Sequence, residues 1–110
     1  MIQLTKKDHL GIITFNRPEV VNSFNRELAL AVHKALDDYA NDPDIRAIML
    51  TGNGKAFCAG QDLQEAIADN GLEIEQIVEE HYNPLIKRIR RIEKPVLAAV
   101  NGVAAGAGAN

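Results

Sequence analysis

The chain has 110 residues, of which 46% are hydrophobic, with a formal net charge of −3 and a pI near 5.5. This length suits one domain with a sizeable core, and the acidic balance excludes the basic surface expected of a nucleic-acid-binding protein. Cys58 is the single cysteine, so an intrachain disulfide is excluded, and no apolar stretch approaches the ~20 residues of a membrane helix. We therefore expect a soluble, cytoplasmic protein without a metal site, nucleic-acid partner or membrane partner.

The first part of the chain combines short strand patterns with one amphipathic helix. Residues 2–6 and 11–15 favour β-strands, and residues 8–11 between them are typical of a hairpin turn. Asn25 is a suitable helix N-cap, and the segment at residues 41–44 ends the helix. The apolar face has three- and four-residue spacing and consists of Leu28, Val32, Ala35, Leu36 and Tyr39.

Two later segments predict buried strands. Residues 45–51 and 96–100 form nearly continuous apolar runs, which are typical of strands covered on both faces. Between them the sequence predicts a short helix over 62–68 and a longer one over about 73–92, which Pro84 should kink. Helical connections between successive strands predict a parallel sheet in an α/β protein.

Several side chains raise the question of chemistry outside the main chain. His81 lies on the apolar face of the second long helix and is expected in the core or a pocket wall, whereas His9 and His33 are expected to be exposed. Cys58 has no histidine nearby in sequence, which favours a packing role over nucleophilic catalysis. Tyr82 and Phe57 are expected to line an apolar pocket or to belong to the core.

Two small-residue loops follow the predicted strands, "TGNGKAFCAGQDL" at residues 51–63 and "NGVAAGAGAN" at residues 101–110. Ligands bind outside the carboxyl ends of parallel strands, so these loops are the expected site. A phosphate loop is excluded, because Met49 and Ala56 stand where it needs glycine and Ser or Thr. A dinucleotide loop fits poorly, because its third glycine would fall at position 111. Backbone N–H groups that stabilise an oxyanion remain the best interpretation.

Three motifs carry a resemblance to a known family. "NRPEVVNSFN", "AFCAGQDL" and "KPVLAAVNGVAAGAG" resemble, in this order along the chain, the enoyl-CoA hydratase/isomerase (crotonase) superfamily. Within it, "FCAGQDL", "YNPL" and "NGVAAGAGA" look most like the isomerases of phenylacetate degradation that act on ring-1,2-epoxyphenylacetyl-CoA. The resemblance implies a crotonase-like (ββα) spiral of the α/β class. It also implies an acyl-CoA thioester as substrate, with coenzyme A as part of that substrate and no separate cofactor.

The resemblance also bears on the size of the protein. Family members are more than twice as long as this chain and assemble as homotrimers or dimers of trimers. We therefore expect residues 1–110 to be the N-terminal part of a crotonase-like domain, incomplete and inactive on its own. A non-catalytic module that binds CoA or assists assembly is the alternative from another class.

The family's functional positions map onto the two loops and the preceding turn. The resemblance implies that the N–H groups of Ala59 and Ala107 form the oxyanion hole. Asp62 also suits a helix N-cap. The residues that the resemblance places at coenzyme A or the thioester are Val20, Val21, Asn22, Ala59, Gly60, Gln61, Asp62, Leu63, Gly106 and Ala107.

Asn110 departs from the pattern of the hydratases. It matches a glutamate that handles the proton of water in those enzymes, and an amide cannot accept or give that proton at neutral pH. The resemblance therefore favours an isomerase of phenylacetate or fatty-acid degradation over an enoyl-CoA hydratase, which is the alternative. The carboxylate that moves the proton would lie beyond residue 110.

Overall fold

The computed structural model describes residues 1–62 and 78–109. The strands are β1 (Ile2–Lys7), β2 (Leu10–Phe15), β3 (Ala47–Gly52), β4 (Ala56–Cys58), β5 (Val96–Ala99) and β6 (Val103–Ala104), and the α-helices are α1 (Arg26–Ala40) and α2 (Asn83–Arg91). Short 3₁₀ turns occupy Pro18–Val20 and Gly106–Gly108, and a π-helical turn, Val78–Tyr82, leads into α2. Within the described ranges, no helix is both long and apolar enough to cross a bilayer.

The larger sheet has the strand order β1-β2-β3-β5. β1 pairs antiparallel with β2, whereas β2, β3 and β5 run parallel. The predicted parallel sheet of an α/β protein is thus confirmed for three strands, and the predicted hairpin adds the fourth. Because Thr51 of β3 is paired with Ala99 of β5, the loops that follow these two strands leave the same edge of the sheet.

A second, two-stranded sheet lies directly after this edge. β4 and β6 pair in parallel, with Ala56 opposite Val103 and Cys58 opposite Ala104. Residues 51–63 were expected to form a loop, so β4 was not predicted. A strand of three residues is too short to show a period, and only its partner far along the chain stabilises it.

Helix α1 covers one face of the larger sheet. Its predicted N-cap is confirmed, because Asn25 Oδ1 accepts a hydrogen bond of 2.9 Å from the Leu28 N–H. Leu28 and Leu36 of this helix are fully buried, as are Ile13 and Ile48 of the sheet. Burial of each such side chain contributes about 1.5–3 kcal/mol, so this contact forms the centre of the core.

The prediction that residues 96–100 form a strand covered on both faces is wrong. Leu97 is 54% exposed and Val100 is 58% exposed. In the described part of the chain β5 pairs only with β3, so it is an edge strand. In β3 the pattern alternates, with Ile48 and Leu50 buried and the intervening residues half-buried, so one face is covered more fully than the other.

The described part of the second long helix differs from the predicted continuous helix. Its π-helical turn gives way to α-helix at Asn83, and Pro84 lies in the first turn of α2. A proline there needs no N–H acceptor, so it begins the α-helix instead of kinking it. The predicted short helix over 62–68 and the start of the longer one lie outside the described residues, apart from Asp62.

The burial of the histidines agrees with the prediction for His81 and His9 but not for His33. His81 is fully buried, as expected, and His9 is exposed. His33 is only 6% exposed, so its predicted exposure is wrong. The His33 Nε2–H donates a hydrogen bond of 2.9 Å to the His81 carbonyl, which joins α1 to the π-helical turn, and burial lowers the pKa of His33.

Candidate active site

The two small-residue loops are fastened to each other by their backbones. Beyond the pairing of β4 with β6, the Ala105 N–H donates to the Cys58 carbonyl at 3.1 Å. Gly108 packs against that same carbonyl so closely that a β-carbon at this position would overlap it. Only glycine fits there, which explains one of the small residues in the second loop.

The loops come closest at Gly60. This residue has φ of +102°, which side-chain-bearing residues rarely adopt. A β-carbon placed on it would lie 3.1 Å from the Ala105 carbonyl oxygen and 3.4 Å from the Ala107 nitrogen. The structure thus brings together Gly60 and Ala107, two of the predicted site residues, from different loops.

The prediction for the Ala59 N–H is wrong. This N–H donates to the Val21 carbonyl at 3.2 Å, while the carbonyl of the same peptide group, on Cys58, accepts from Ala105. The N–H and C=O of a trans peptide point in opposite directions, so the Ala59 N–H faces away from the second loop. The cause is a turn in which Val21 has φ of +50°, a conformation that the local sequence does not predict.

The next peptide group of the first loop has the opposite orientation. The Phe24 N–H donates to the Gly60 carbonyl at 2.6 Å, and the Asp62 N–H donates to the Phe24 carbonyl at 2.7 Å. Since the Gly60 carbonyl points toward Phe24, the N–H of the same trans peptide, which belongs to Gln61, points away from Phe24. The backbone N–H of Gln61 therefore points in a different direction from the backbone N–H of Ala59, which faces Val21.

Ala107 lies in the first turn of the Gly106–Gly108 segment. The hydrogen bonds of this turn run from Gly108 N–H to Ala105 (2.8 Å) and from Ala109 N–H to Gly106 (3.2 Å). The N–H of Ala107 is not part of either bond, as is usual for the first residues of a helical turn. Gly106 has φ of +52°, which turns the chain into this arrangement.

The side chain of Asn22 is hydrogen-bonded to the backbone of the first loop. It is fully buried, its Oδ1 accepts from the Arg17 N–H (2.8 Å), and its Nδ2 donates to the carbonyls of Asn53 (3.0 Å) and Ala56 (2.8 Å). The predicted contact of Asn22 with coenzyme A is therefore wrong, because its side chain is enclosed and engaged within the protein. Val21 is 47% exposed, so a ligand contact there stays a prediction.

The carboxylate of Asp62 is also engaged within the protein. Arg17 Nη2 donates to Asp62 Oδ2 at 2.9 Å, and the side chains are 12% and 13% exposed. Sequence reasoning missed this pair, because nothing local to either residue indicates the other. The remaining predicted positions, Leu63 and Asn110, lie outside the described residues.

An apolar cleft of about 250 Å³ adjoins Ala107 and Gly108. Tyr82 lines it, stacks on Phe24 at a centroid distance of 5.9 Å, and donates its hydroxyl to Gln61 Oε1 at 2.8 Å. The predicted pocket role of Tyr82 therefore agrees with the structure. The other lining residues are chiefly apolar and include Phe15, Phe57, Leu85, Ile89, Ala98 and Ala104.

A wider cleft of about 900 Å³ lies at the opposite end of the sheet, where β3 and β5 begin. Two of its positive charges have structural partners: Arg88 pairs with Asp37, and Lys94 Nζ donates to the Tyr39 and Asp42 carbonyls at the end of α1. Cations at helix C-termini complement the helix dipole. Arg88 and Lys94 thus have structural roles at the helix ends, and the smaller cleft is the one at the candidate site.

Cys58 lies in the site region but is poorly suited to nucleophilic attack. It is 3% exposed, and burial raises the pKa of its thiol. Within residues 1–62 and 78–109, no three His, Cys, Asp or Glu side chains are grouped so that they could hold a metal ion. The groups that converge at this site are therefore main-chain amides beside an apolar cleft.

Comparison with known proteins identifies the family in which this arrangement occurs. The family described as Enoyl-CoA hydratase/isomerase matches residues 5–110. A Rhodobacter capsulatus protein named "Probable enoyl-CoA hydratase" is 50% identical over 105 residues, which cover 92% of this chain and 38% of that protein. The 1,2-epoxyphenylacetyl-CoA isomerase of Escherichia coli is 47% identical over 100 residues, covering 88% and 38%.

Solved structures of other proteins have the same fold as this chain. The enoyl-CoA hydratase of Bacillus anthracis superposes with a TM-score of 0.85 at 32% identity, over 97% of this chain and 42% of that one. The chain thus spans about two fifths of the length of the curated relatives that it matches and has the fold of the corresponding part of the crotonase-like proteins. On the family match over residues 5–110, the chain belongs to the enoyl-CoA hydratase/isomerase family.

Proposed function

We propose that the protein containing this chain is an acyl-CoA isomerase of the crotonase type. Its substrate is an acyl-CoA thioester, whose carbonyl oxygen accepts hydrogen bonds from one amide of each loop. These bonds stabilise the enolate that forms when a proton leaves the acyl chain and that is consumed when a proton is added at a different carbon. Coenzyme A is part of the substrate, and the reaction uses no separate cofactor.

The close approach of Gly60 to Ala107 carries this proposal. Amides stabilise one oxyanion only when both can reach it, at about 2.7–3.1 Å from each nitrogen. The Ala107 N–H supplies the second-loop donor. We assign the first-loop donor to Gln61 in place of Ala59, because the Gly60–Gln61 peptide directs its N–H away from Phe24.

The cleft beside Ala107 favours a substrate with an apolar acyl group. Its walls are chiefly aromatic and aliphatic side chains, and ligand pockets of this kind bury apolar substrate atoms. The hydroxyl of Tyr82 joins this wall to Gln61, so the acyl cleft and the proposed amide donor are linked. An acyl chain in this cleft would extend from a thioester held between Gln61 and Ala107.

Isomerisation is preferred to hydration because of Asn110, which cannot activate water by accepting a proton. The carboxylate that moves the proton is then supplied by another part of the complete protein. Hydration is the second candidate, favoured by the 50% identity to the Rhodobacter capsulatus protein and its name. The Escherichia coli isomerase, at 47%, supports the first candidate and a place in phenylacetate degradation.

We also propose a homotrimer or dimer of trimers for the complete protein.

The test uses the complete protein with 3-enoyl-CoA and 2-enoyl-CoA substrates in D₂O. We expect migration of the double bond without net addition of water, with solvent deuterium at C4 of the 2-enoyl product and at C2, next to the carbonyl, of the 3-enoyl product. Formation of 3-hydroxyacyl-CoA as the main product would support the hydratase instead. Binding of CoA without either reaction would favour the non-catalytic module.

A further inference from the structure

An enclosed charge pair joins the turn before α1 to the first loop. Arg17 lies just before the Pro18–Val20 turn, and Asp62 follows directly after the proposed Gln61 donor. With 12% and 13% exposure, their side chains are largely removed from water. The bond therefore joins two segments that are distant in sequence at the position where the first loop leaves Gln61.

Arg17 makes further bonds that fix its own position. Its Nη1 donates to the Ser23 carbonyl at 2.7 Å, and its backbone N–H donates to Asn22 Oδ1 at 2.8 Å. Its carbonyl accepts from the Asn22 N–H at 2.8 Å. The guanidinium is thus rigidly held before it reaches Asp62, and a planar fork with two acceptors is a geometry that lysine cannot reproduce.

The segment that contains Asp62 is also held in place by hydrogen bonds. Asp62 is bonded through its N–H to the Phe24 carbonyl, and the Gly60 carbonyl accepts from Phe24. Gly60 and Gln61 therefore lie between two anchors, one at Phe24 and one at Arg17. A shift of Asp62 would move the Gly60–Gln61 peptide relative to Ala107.

From this arrangement we infer that Arg17 is a positioning residue, which holds the Gln61 amide at the distance from Ala107 that the reaction requires. The inference rests on the proposed function, because it concerns the alignment of the same two amides. Arg17 acts through Asp62 and does not itself touch the substrate. Loss of the bond is expected to lower kcat more than it raises KM, since the hydrogen bonds to the thioester oxygen are strongest when that oxygen carries the negative charge of the transition state.

The test compares Arg17→Ala with Arg88→Ala in the complete protein. Both variants remove an arginine that pairs with an aspartate, but Arg88 pairs with Asp37 between α1 and α2, away from the loops. We expect Arg17→Ala to lower kcat on the order of 100-fold with a much smaller change in KM. Arg17→Lys keeps the charge but not the fork, so its kcat should lie between those of Arg17→Ala and the wild type.

Hydrogen–deuterium exchange supplies a readout that does not need activity. Exchange at residues 60–62 should accelerate in Arg17→Ala and stay unchanged in Arg88→Ala. Equal losses of kcat in the two variants, or unchanged exchange at residues 60–62 in Arg17→Ala, would overturn the inference. If Arg17→Ala does not fold, Arg17→Lys and Asp62→Asn are judged by the same two measurements. A wild-type protein without acyl-CoA chemistry would refute the proposed function, and exchange would still decide whether Arg17 holds the loop.

Discussion

A β-carbon placed on Gly60 would lie 3.4 Å from the backbone nitrogen of Ala107. The two residues belong to loops that follow different strands, and the pairing of β4 with β6 brings these loops together. Because β3 and β5 are neighbours in the sheet, both loops start from the same edge. The position of the proposed amide donors therefore follows from strand order, a short second sheet and glycine at the closest contact.

Substitution of Gly60 by alanine tests this contact, and Gly54→Ala is its matched control. Both glycines have positive φ, +102° and +91°, so each substitution should cost about 1–3 kcal/mol of stability through backbone strain. The new β-carbon of Gly60→Ala faces Ala105 and Ala107, whereas that of Gly54→Ala faces Pro18. We expect turnover of acyl-CoA by the complete protein to fall on the order of 100-fold only in Gly60→Ala.

Thermal unfolding of the two variants separates strain from function. Similar decreases in Tm, with turnover lost in Gly60→Ala alone, would support the role of the contact. Equal turnover in the two variants would show that the Gly60 contact with the second loop is not needed for the reaction.

The enclosed amide of Asn22 should contribute strongly to stability. Asn22→Ala leaves the Arg17 N–H and the Asn53 carbonyl without this partner inside the protein, and we expect a loss of about 3 kcal/mol. Asn25→Ala, which removes the N-cap of α1, should cost only about 1 kcal/mol. Urea unfolding of both variants gives the comparison, and a smaller loss for Asn22→Ala than for Asn25→Ala would contradict this account of the turn.

His33 should make stability dependent on pH. Burial, and secondly the charge of Arg88, lower its pKa below the ordinary value of 6.5, whereas the bond to the His81 carbonyl and the charge of Asp37 oppose this. Below about pH 6.5 the unfolded chain thus binds a proton more readily than the folded one. The contribution of neutral His33 is complete above this pH, and it decreases as the pH falls toward the lowered pKa.

The measurement is the free energy of unfolding of wild type and His33→Gln between pH 5 and 8. The difference between the two proteins should favour the wild type more at high pH than at low pH. A difference that is constant across this range would contradict the assignment of the titration to His33.

Cys58 should react slowly with thiol reagents in the folded protein. Its thiol is buried, and burial raises its pKa, so little thiolate is present at neutral pH. Alkylation followed by mass spectrometry of the peptide that contains Cys58 should show slow labelling in the native protein and fast labelling in urea. Rapid native labelling at pH 7 would indicate an accessible thiolate and would reopen a nucleophilic role.

Local patterns predicted the parts of the fold that depend on local interactions. Asn25 acts within one turn of α1, and the spacing from Leu28 to Tyr39 reports one helix face, so both were predicted correctly. The exposure of Leu97 was not predictable in this way, because an apolar run does not tell which neighbours cover it. His33 likewise became buried through a contact with the distant π-helical turn.

The candidate site was predicted in outline but not in its donor groups. The small residues of both loops indicated backbone amides, and the structure brings these loops together at Gly60 and Ala107. The direction of each amide, however, depends on partners elsewhere in the chain. Val21 engages the Ala59 N–H through a left-handed turn that a valine would not suggest, since β-branched residues rarely adopt positive φ.

Polarisation of a bound thioester carbonyl is the most direct test of the central claim. A substrate analogue with ¹³C in the thioester carbonyl is bound to the complete protein and observed by NMR, with Ala107→Pro as the variant. Proline removes the N–H of Ala107, which makes neither hydrogen bond of its turn, so no hydrogen bond of that turn is lost. We predict a downfield carbonyl shift on binding to the wild type that is largely lost in Ala107→Pro. A carbonyl shift in the bound wild type equal to that in water, or unaffected by the substitution, would contradict the account.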